Sequence, residues 1–222
     1  MAIEFEIALE NLYKAFSKYP LNSRIEGCPC CVSGADKATL HSKALRNLED
    51  DDLSKYAFKA MTTFGDVSDF KHFLPRILEL LSRDKLSVDT FVMLGKLKYG
   101  NWDSWPKPEQ AAIKRFLREW WNLYINQHNS GYFEAEILIE INKLLGDLAW
   151  MLSIWNLDIE SVGFVKFVEL IKFDHKNISR SKGRFKEFPA LDSDVLKKWI
   201  AANSAKLEDG FNFYEIKDIE IA

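Results

Sequence analysis

Apolar side chains recur at three- and four-residue intervals along almost the whole chain, and this spacing is the strongest constraint on what it can fold into. Phe5, Leu9, Leu12, Tyr13 and Phe16 form one stripe, and Phe70, Phe73, Leu74, Ile77, Leu78 and Leu81 form another. The periodic stretches are separated by proline and glycine, which interrupt helices. The strand–helix alternation of βαβ units is missing from the pattern. The sequence therefore predicts an all-α protein of about nine helices, paired as antiparallel hairpins in an irregular bundle or a short HEAT-like solenoid. The pairs near 51–82, 87–127 and 133–172 read as successive hairpins. One domain over 1–222 is expected, with a possible subdivision into a cysteine-loop half, 1–100, and a tryptophan-rich half, 101–222.

The first helix covers about 3–19 and stops at Pro20, because the residue before a proline is pushed out of the helical region. Ser33 and Asp36 form a capping pattern for a second helix to about Leu48. The acidic run Glu49 to Asp52 opens a third, where negative charge suits the helix dipole. Further helices are predicted over 66–83, with Pro75 inside, and over 87–99, 108–127, 133–155, 159–173 and 193–206. Asn129-Ser130-Gly131 is the expected stop of the 108–127 helix. The 133–155 segment is apolar on most sides and is placed at the centre, since a helix apolar all round is buried. Phe211 to Ile221 alternates like a strand. It is read as an extended tail laid on the helices, because one strand alone is not stable.

Composition excludes several classes. A chain of 222 residues with 47% hydrophobic content is too rich for disorder and buries a substantial core. A net charge of −3 does not favour bulk binding to nucleic acid or to an anionic membrane. No apolar run approaches the roughly 18 residues of a membrane span. The acidic start, Met1 to Glu6, lacks the features of a signal peptide, and the cysteine count is odd, so a reduced, cytoplasmic protein is expected. Residues 172–186 carry Lys172, Lys176, Arg180, Lys182, Arg184 and Lys186 against Asp174, with Phe173, Phe185 and Phe188 among or beside them. They read as a solvated connection, with phosphate contact as the alternative.

All three cysteines fall in Gly27-Cys28-Pro29-Cys30-Cys31. Cys28 and Cys31 have the Cys-x-x-Cys spacing that brings two thiolates to one zinc ion. A tetrahedral site needs two more donors, and the histidines are His41, His72, His128 and His175. The expected ligand set is Cys28, Cys31, His41 and His72, with Cys30 as a spare thiol. Packed apolar thiols without metal and thiol redox chemistry are the alternatives. His41 shares a stripe with Ala38, Leu45 and Leu48 and is expected to face inward. His72 lies opposite the apolar stripe of its helix, with Asp69, Arg76 and Glu79. That face is either solvated or a polar constellation turned toward a neighbour, a metal or a ligand.

No Gly-rich phosphate loop precedes a helix, and there is no His-Glu-x-x-His or Gly-x-Ser-x-Gly. Three stretches, Gly27 to Cys31, Lys59 to Asp66 and Asp69 to Arg76, resemble a family of bacterial proteins without an assigned activity, recognised by a GCPCC loop followed by a DFKHFLPR helix. The likeness covers roughly the first 80 residues. It implies a bacterial, cytoplasmic protein in which the cysteine loop and the His72 face form one region. By analogy of type, small acidic helical proteins of this kind serve as immunity partners of secreted toxins. The expected function is therefore a protein-binding module, in its most specific form an immunity protein neutralising a bacterial toxin. Trp102, Trp105, Asp69 and Arg76 are its expected anchors, and the acidic stretches 49–52 and 208–220 would steer a basic partner. The alternative is a zinc-dependent enzyme at the Cys28–Cys31 loop and the His72 face, with Asp69 or Glu79 as base.

Overall fold

Helices begin where the sequence supplies caps. Ser33 Oγ accepts from Asp36 N at 3.1 Å, and the Asp36 carboxylate accepts from Ser33 N at 2.7 Å. Asp66 and Asp69 repeat this reciprocal arrangement at 2.9 and 3.0 Å. Each box satisfies N–H groups that have no partner inside the helix. In the computed structural model, which describes residues 2–126 and 133–221, the described chain is all α. The helices are α1 (Ala2–Phe16), α2 (Gly34–Leu40), α3 (Asp50–Lys59), α4 (Val67–Ser82), α5 (Thr90–Tyr99), α6 (Lys107–Asn126), α7 (Ala135–Leu145), α8 (Leu148–Ser153), α9 (Val162–Ser179), α10 (Ala190–Ala202) and α11 (Ser204–Ile221). Short 3-10 turns stand at Leu45–Asn47, Trp102–Ser104 and Gly183–Glu187. Lengths run from 6 to 20 residues, so the bundle is irregular. No helix among the described residues is long and apolar enough to cross a membrane. The chain divides into two compact units, residues 1–120 and 121–222, with the boundary inside α6.

In the first unit α1 packs on α4. Phe5, Leu9, Leu12 and Phe16 from α1, and Phe70, Phe73, Leu74 and Ile77 from α4, are buried. Each such side chain contributes about 1.5–3 kcal/mol by leaving water. The same interior holds charge. Glu109 from α6 is fully buried, its Oε1 accepting from Tyr19 Oη and Lys18 Nζ, both at 2.7 Å. Its Oε2 lies 2.9 Å from Lys71 Nζ, an ion-pair contact without hydrogen-bond alignment. Burial pushes the Glu109 carboxyl up, and the contacts from Lys18, Lys71 and Tyr19 outweigh this and hold it below its ordinary value.

In the second unit α7 is buried on all sides from Glu136 to Asn142, which places it centrally there. The single 133–155 helix expected from its apolar run is broken. Gly146 takes a left-handed backbone, φ 65°, which ends α7, and Asp147 caps α8 by accepting from Trp150 N. An aromatic cluster surrounds Trp155, with ring centroids at 5.1 Å to Trp199, 5.3 Å to Phe133 and 5.7 Å to Trp121.

Other expectations change. The second helix stops at Leu40, and residues 41–48 turn through the short 3-10 segment instead. Residues 172–179 belong to α9, so the basic stretch is a helix end followed by a 3-10 turn rather than a free connection. Phe185 is buried against Phe188 with centroids 5.7 Å apart, and Arg184 pairs with Glu136. The extended tail is helical, as α11. Among the described residues no strand edge offers it hydrogen bonds, and a helix closes its own. The expected stop at Asn129-Ser130-Gly131 lies outside the described residues, as does His128.

Candidate metal centre

The cysteine loop is tied to the turn that follows α3. Gly65 N donates to Glu26 O at 2.7 Å and Cys28 N to Thr63 O at 2.8 Å. Between them Gly27 and Phe64 form an isolated antiparallel bridge. Phe64 is buried and packs edge-on against Tyr56 at 5.1 Å, so the turn is rooted in the core. Lys96 is also buried. Its ammonium donates to Ala60 O at 2.8 Å, and burial lowers its pKa. Lys59 Nζ reaches Cys31 O at 2.9 Å. Gly27 is required by close packing, because a Cβ there would lie 2.8 Å from Val32 Cγ1.

Within the loop Cys28 O accepts from Cys31 N at 3.0 Å and from Val32 N at 2.9 Å. This tight turn, with Pro29 at its bend, folds the three thiols onto one another. Cys28 Sγ lies 2.8 Å from Cys30 Sγ, and Cys30 Sγ lies 3.2 Å from Cys31 Sγ. All three sulfurs are within 4.8 Å of one another. Cys30 is exposed and its neighbours are half-buried, and none is in a disulfide. The hydrogen bond with Cys30 lowers the Cys28 thiol, and the same contact, with Cys31 adding to it, pushes Cys30 up to about 11. Three closely spaced thiols of this kind can hold a metal ion. Sulfurs around a tetrahedral zinc, at bonds of about 2.3 Å, stand roughly 3.8 Å apart, so Cys30 Sγ would move away from Cys28 Sγ by about 1 Å and from Cys31 Sγ by about 0.6 Å on binding.

The structure redraws the expected ligand set. Cys28 and Cys31 come together as their spacing implies, and the spare thiol Cys30 joins them. His41 does not. It is the exposed C-cap residue of α2, because that helix ends before the stripe with Leu45 and Leu48 is completed. His72 does not either. Its Nδ1 lies 2.8 Å from Tyr19 O and its ring stands edge-on to Phe73. Among the described residues the three cysteines are the only group of three or more His, Cys, Asp or Glu side chains drawn so close.

The expected anchors are interior supports. Asp69 is buried as half of the α4 capping box. Arg76 donates from Nε to Leu48 O at 2.7 Å and from Nη1 to Glu79 Oε2 at 2.8 Å, and that carboxylate also accepts from Tyr13 Oη at 2.6 Å. Trp102 and Trp105 are buried, and Trp105 Nε1 donates to Gly100 O at 2.9 Å. The polar face of α4 is thus covered, because α1 and the Leu45–Asn47 turn pack over it. Cys30 was within reach of the sequence, since its adjacency to Cys31 carries it into any site that Cys31 enters. The Tyr19–Glu109 contact was not, since the two are 90 residues apart. Comparison with protein-family models, with curated proteins and with solved structures returns no match for this chain.

Proposed function

We propose that this chain is a metal-binding protein whose centre is the thiol cluster of Cys28, Cys30 and Cys31, with zinc as its first candidate. The observation that supports this is the convergence of three sulfurs on a surface loop that is tied through its backbone to the 63–65 turn at Glu26 and Cys28 and held at Cys31 O by the Lys59 ammonium. Soft thiolate donors favour zinc or copper(I) over harder ions. Three thiolates around a divalent ion leave a net charge of −1, which weakens its action as a Lewis acid. The centre therefore suits holding an ion and presenting its fourth position to a donor from a partner, more than activating water as in the alternative zinc enzyme.

The test is metal content of protein purified without chelator, followed by cobalt(II) substitution. About one equivalent is expected, with the intense visible absorption of tetrahedral thiolate cobalt. Cys28→Ser, Cys30→Ser and Cys31→Ser each lose it, while His41→Ala and His72→Ala keep it. Retention in Cys30→Ser with loss in His72→Ala would restore the mixed cysteine–histidine set.

A second reading is a protein-binding module, with an immunity protein as its most specific form. It draws support from apolar surface on α9, where Val165 and Val168, one turn apart, are 49% and 37% exposed. A stoichiometric partner recovered from the native host, and lost in Val165→Asp/Val168→Asp protein of unchanged melting temperature, would support it.

A further inference from the structure

We propose that the cleft between α1, the Leu45–Asn47 turn and α4 binds a small, uncharged aromatic molecule carrying one N–H or O–H donor, with His72 Nε2 as the acceptor. The cleft is open to solvent and has a volume of about 600 Å³, within the range of small-molecule sites. Its walls are mainly aromatic and apolar, from Tyr13, Phe16, Tyr19, Leu45 and Pro75. Planar rings suit such walls through offset and edge-on contacts.

The polar groups of the cleft are almost all engaged. Arg46 and Glu10 form a bidentate pair at 2.7 Å on both arms, and the guanidinium lies 3.7 Å from the Tyr13 ring centroid. That pair brings no net charge. Tyr13 Oη donates to Glu79, and Ser17 Oγ donates to Lys14 O at 2.9 Å. Lys14 is exposed and keeps its ammonium in water. His72 differs. Its Nδ1 faces the carbonyl of Tyr19 at 2.8 Å, and a carbonyl only accepts. Nδ1 therefore carries the proton, and in the neutral ring the free lone pair sits on Nε2. Among the described residues Nε2 has no hydrogen-bond partner, although the ring is half-buried and lines the cleft. An oriented acceptor in a mainly aromatic and apolar cleft selects a neutral aromatic donor.

The probes are indole, which has one N–H, and 1-methylindole, which has none. The full chain is titrated with each by calorimetry, both probes in the same mildly alkaline buffer. Saturable one-to-one binding is expected, with indole tighter by about three- to tenfold, the worth of one neutral hydrogen bond. His72→Phe keeps a ring in place and removes the difference. In wild-type protein the His72 Nε2 resonance shifts with indole and stays put with 1-methylindole, so the inference remains testable if the variant folds poorly. Equal affinity for both probes, a preference that survives His72→Phe, an Nε2 resonance indifferent to indole, or no binding of either probe would overturn it. So would self-association through the same cleft, seen as indole binding that weakens as protein concentration rises. The proposal is independent of the cysteine centre.

Discussion

Removing the buried carboxylate of Glu109 isolates one ammonium in the interior of the first unit. In Glu109→Ala, Lys71 loses its counter-ion at 2.9 Å while its side chain is only 8% exposed. Breaking a buried pair from one side costs about 3–5 kcal/mol. Two contacts soften the loss. Lys71 keeps the Tyr19 hydroxyl at 3.0 Å and the Trp105 ring at 4.2 Å, and a partly desolvated cation–π contact returns up to about 2 kcal/mol. Lys18 is 54% exposed and swings to water at little cost. The expected loss is therefore about 3 kcal/mol, read from urea unfolding, with a melting temperature lower by roughly 6–12 °C. The double variant Lys71→Met/Glu109→Ala removes the stranded charge and recovers at least half. A loss under about 1 kcal/mol, or a double variant no better than the single, would refute the reasoning.

In Gly163→Ala the new Cβ would stand 2.1 Å from Asn156 O, a backbone atom, and should destabilise the second unit by several kcal/mol, seen as a lowered melting transition. Leu138→Asp places a charge at a fully buried point of α7, and loss of the native far-ultraviolet helical signal at 37 °C is expected, with Leu138→Met near neutral. Lys166 is buried, donates to Tyr124 O and lies 3.7 Å from that ring, and burial lowers its pKa to about 8. Its penalty is complete below that value and fades as pH rises toward the ordinary 10.5, so the stability gap between wild type and Lys166→Met, measured by urea titration at several pH values, should shift in favour of wild type across that window.

Most of the fold was legible because helical periodicity is a local property. The 108–127 and 66–83 segments match α6 and α4 to within one residue at each end. What failed depended on neighbours. The stripe through His41 required a helix to continue past Leu40, and nothing in the pattern of 38–48 distinguished a helix from a helix followed by a turn. Trp102 and Trp105 read as exposed because Gly, Asn and Pro surround them, yet a loop that crosses its own unit buries whatever lies beneath it. The polar face of α4 was left open between a solvated face and one turned toward a neighbour, because periodicity shows which residues share a side and not what covers that side. In the cysteine loop the spacing identified Cys28 and Cys31. Cys30, adjacent to Cys31, stood in the same stretch, and the turn at Pro29 brings its sulfur to the other two.

That bend has a kinetic consequence. The amides of Cys28, Cys31 and Val32, together with that of Gly65, are already bonded, so a metal ion bound as proposed would meet thiols whose chain needs no closing. Ring closure, slow and costly in a disordered peptide, would drop out of the uptake reaction. What would remain is the exchange of protons for metal. With three thiols yielding up to three protons per ion, apparent affinity climbs by as much as about three powers of ten per pH unit while all remain protonated. Occupancy would then follow acidity in the manner of a chelating buffer, and mild acid would release the ion while the helices stayed folded.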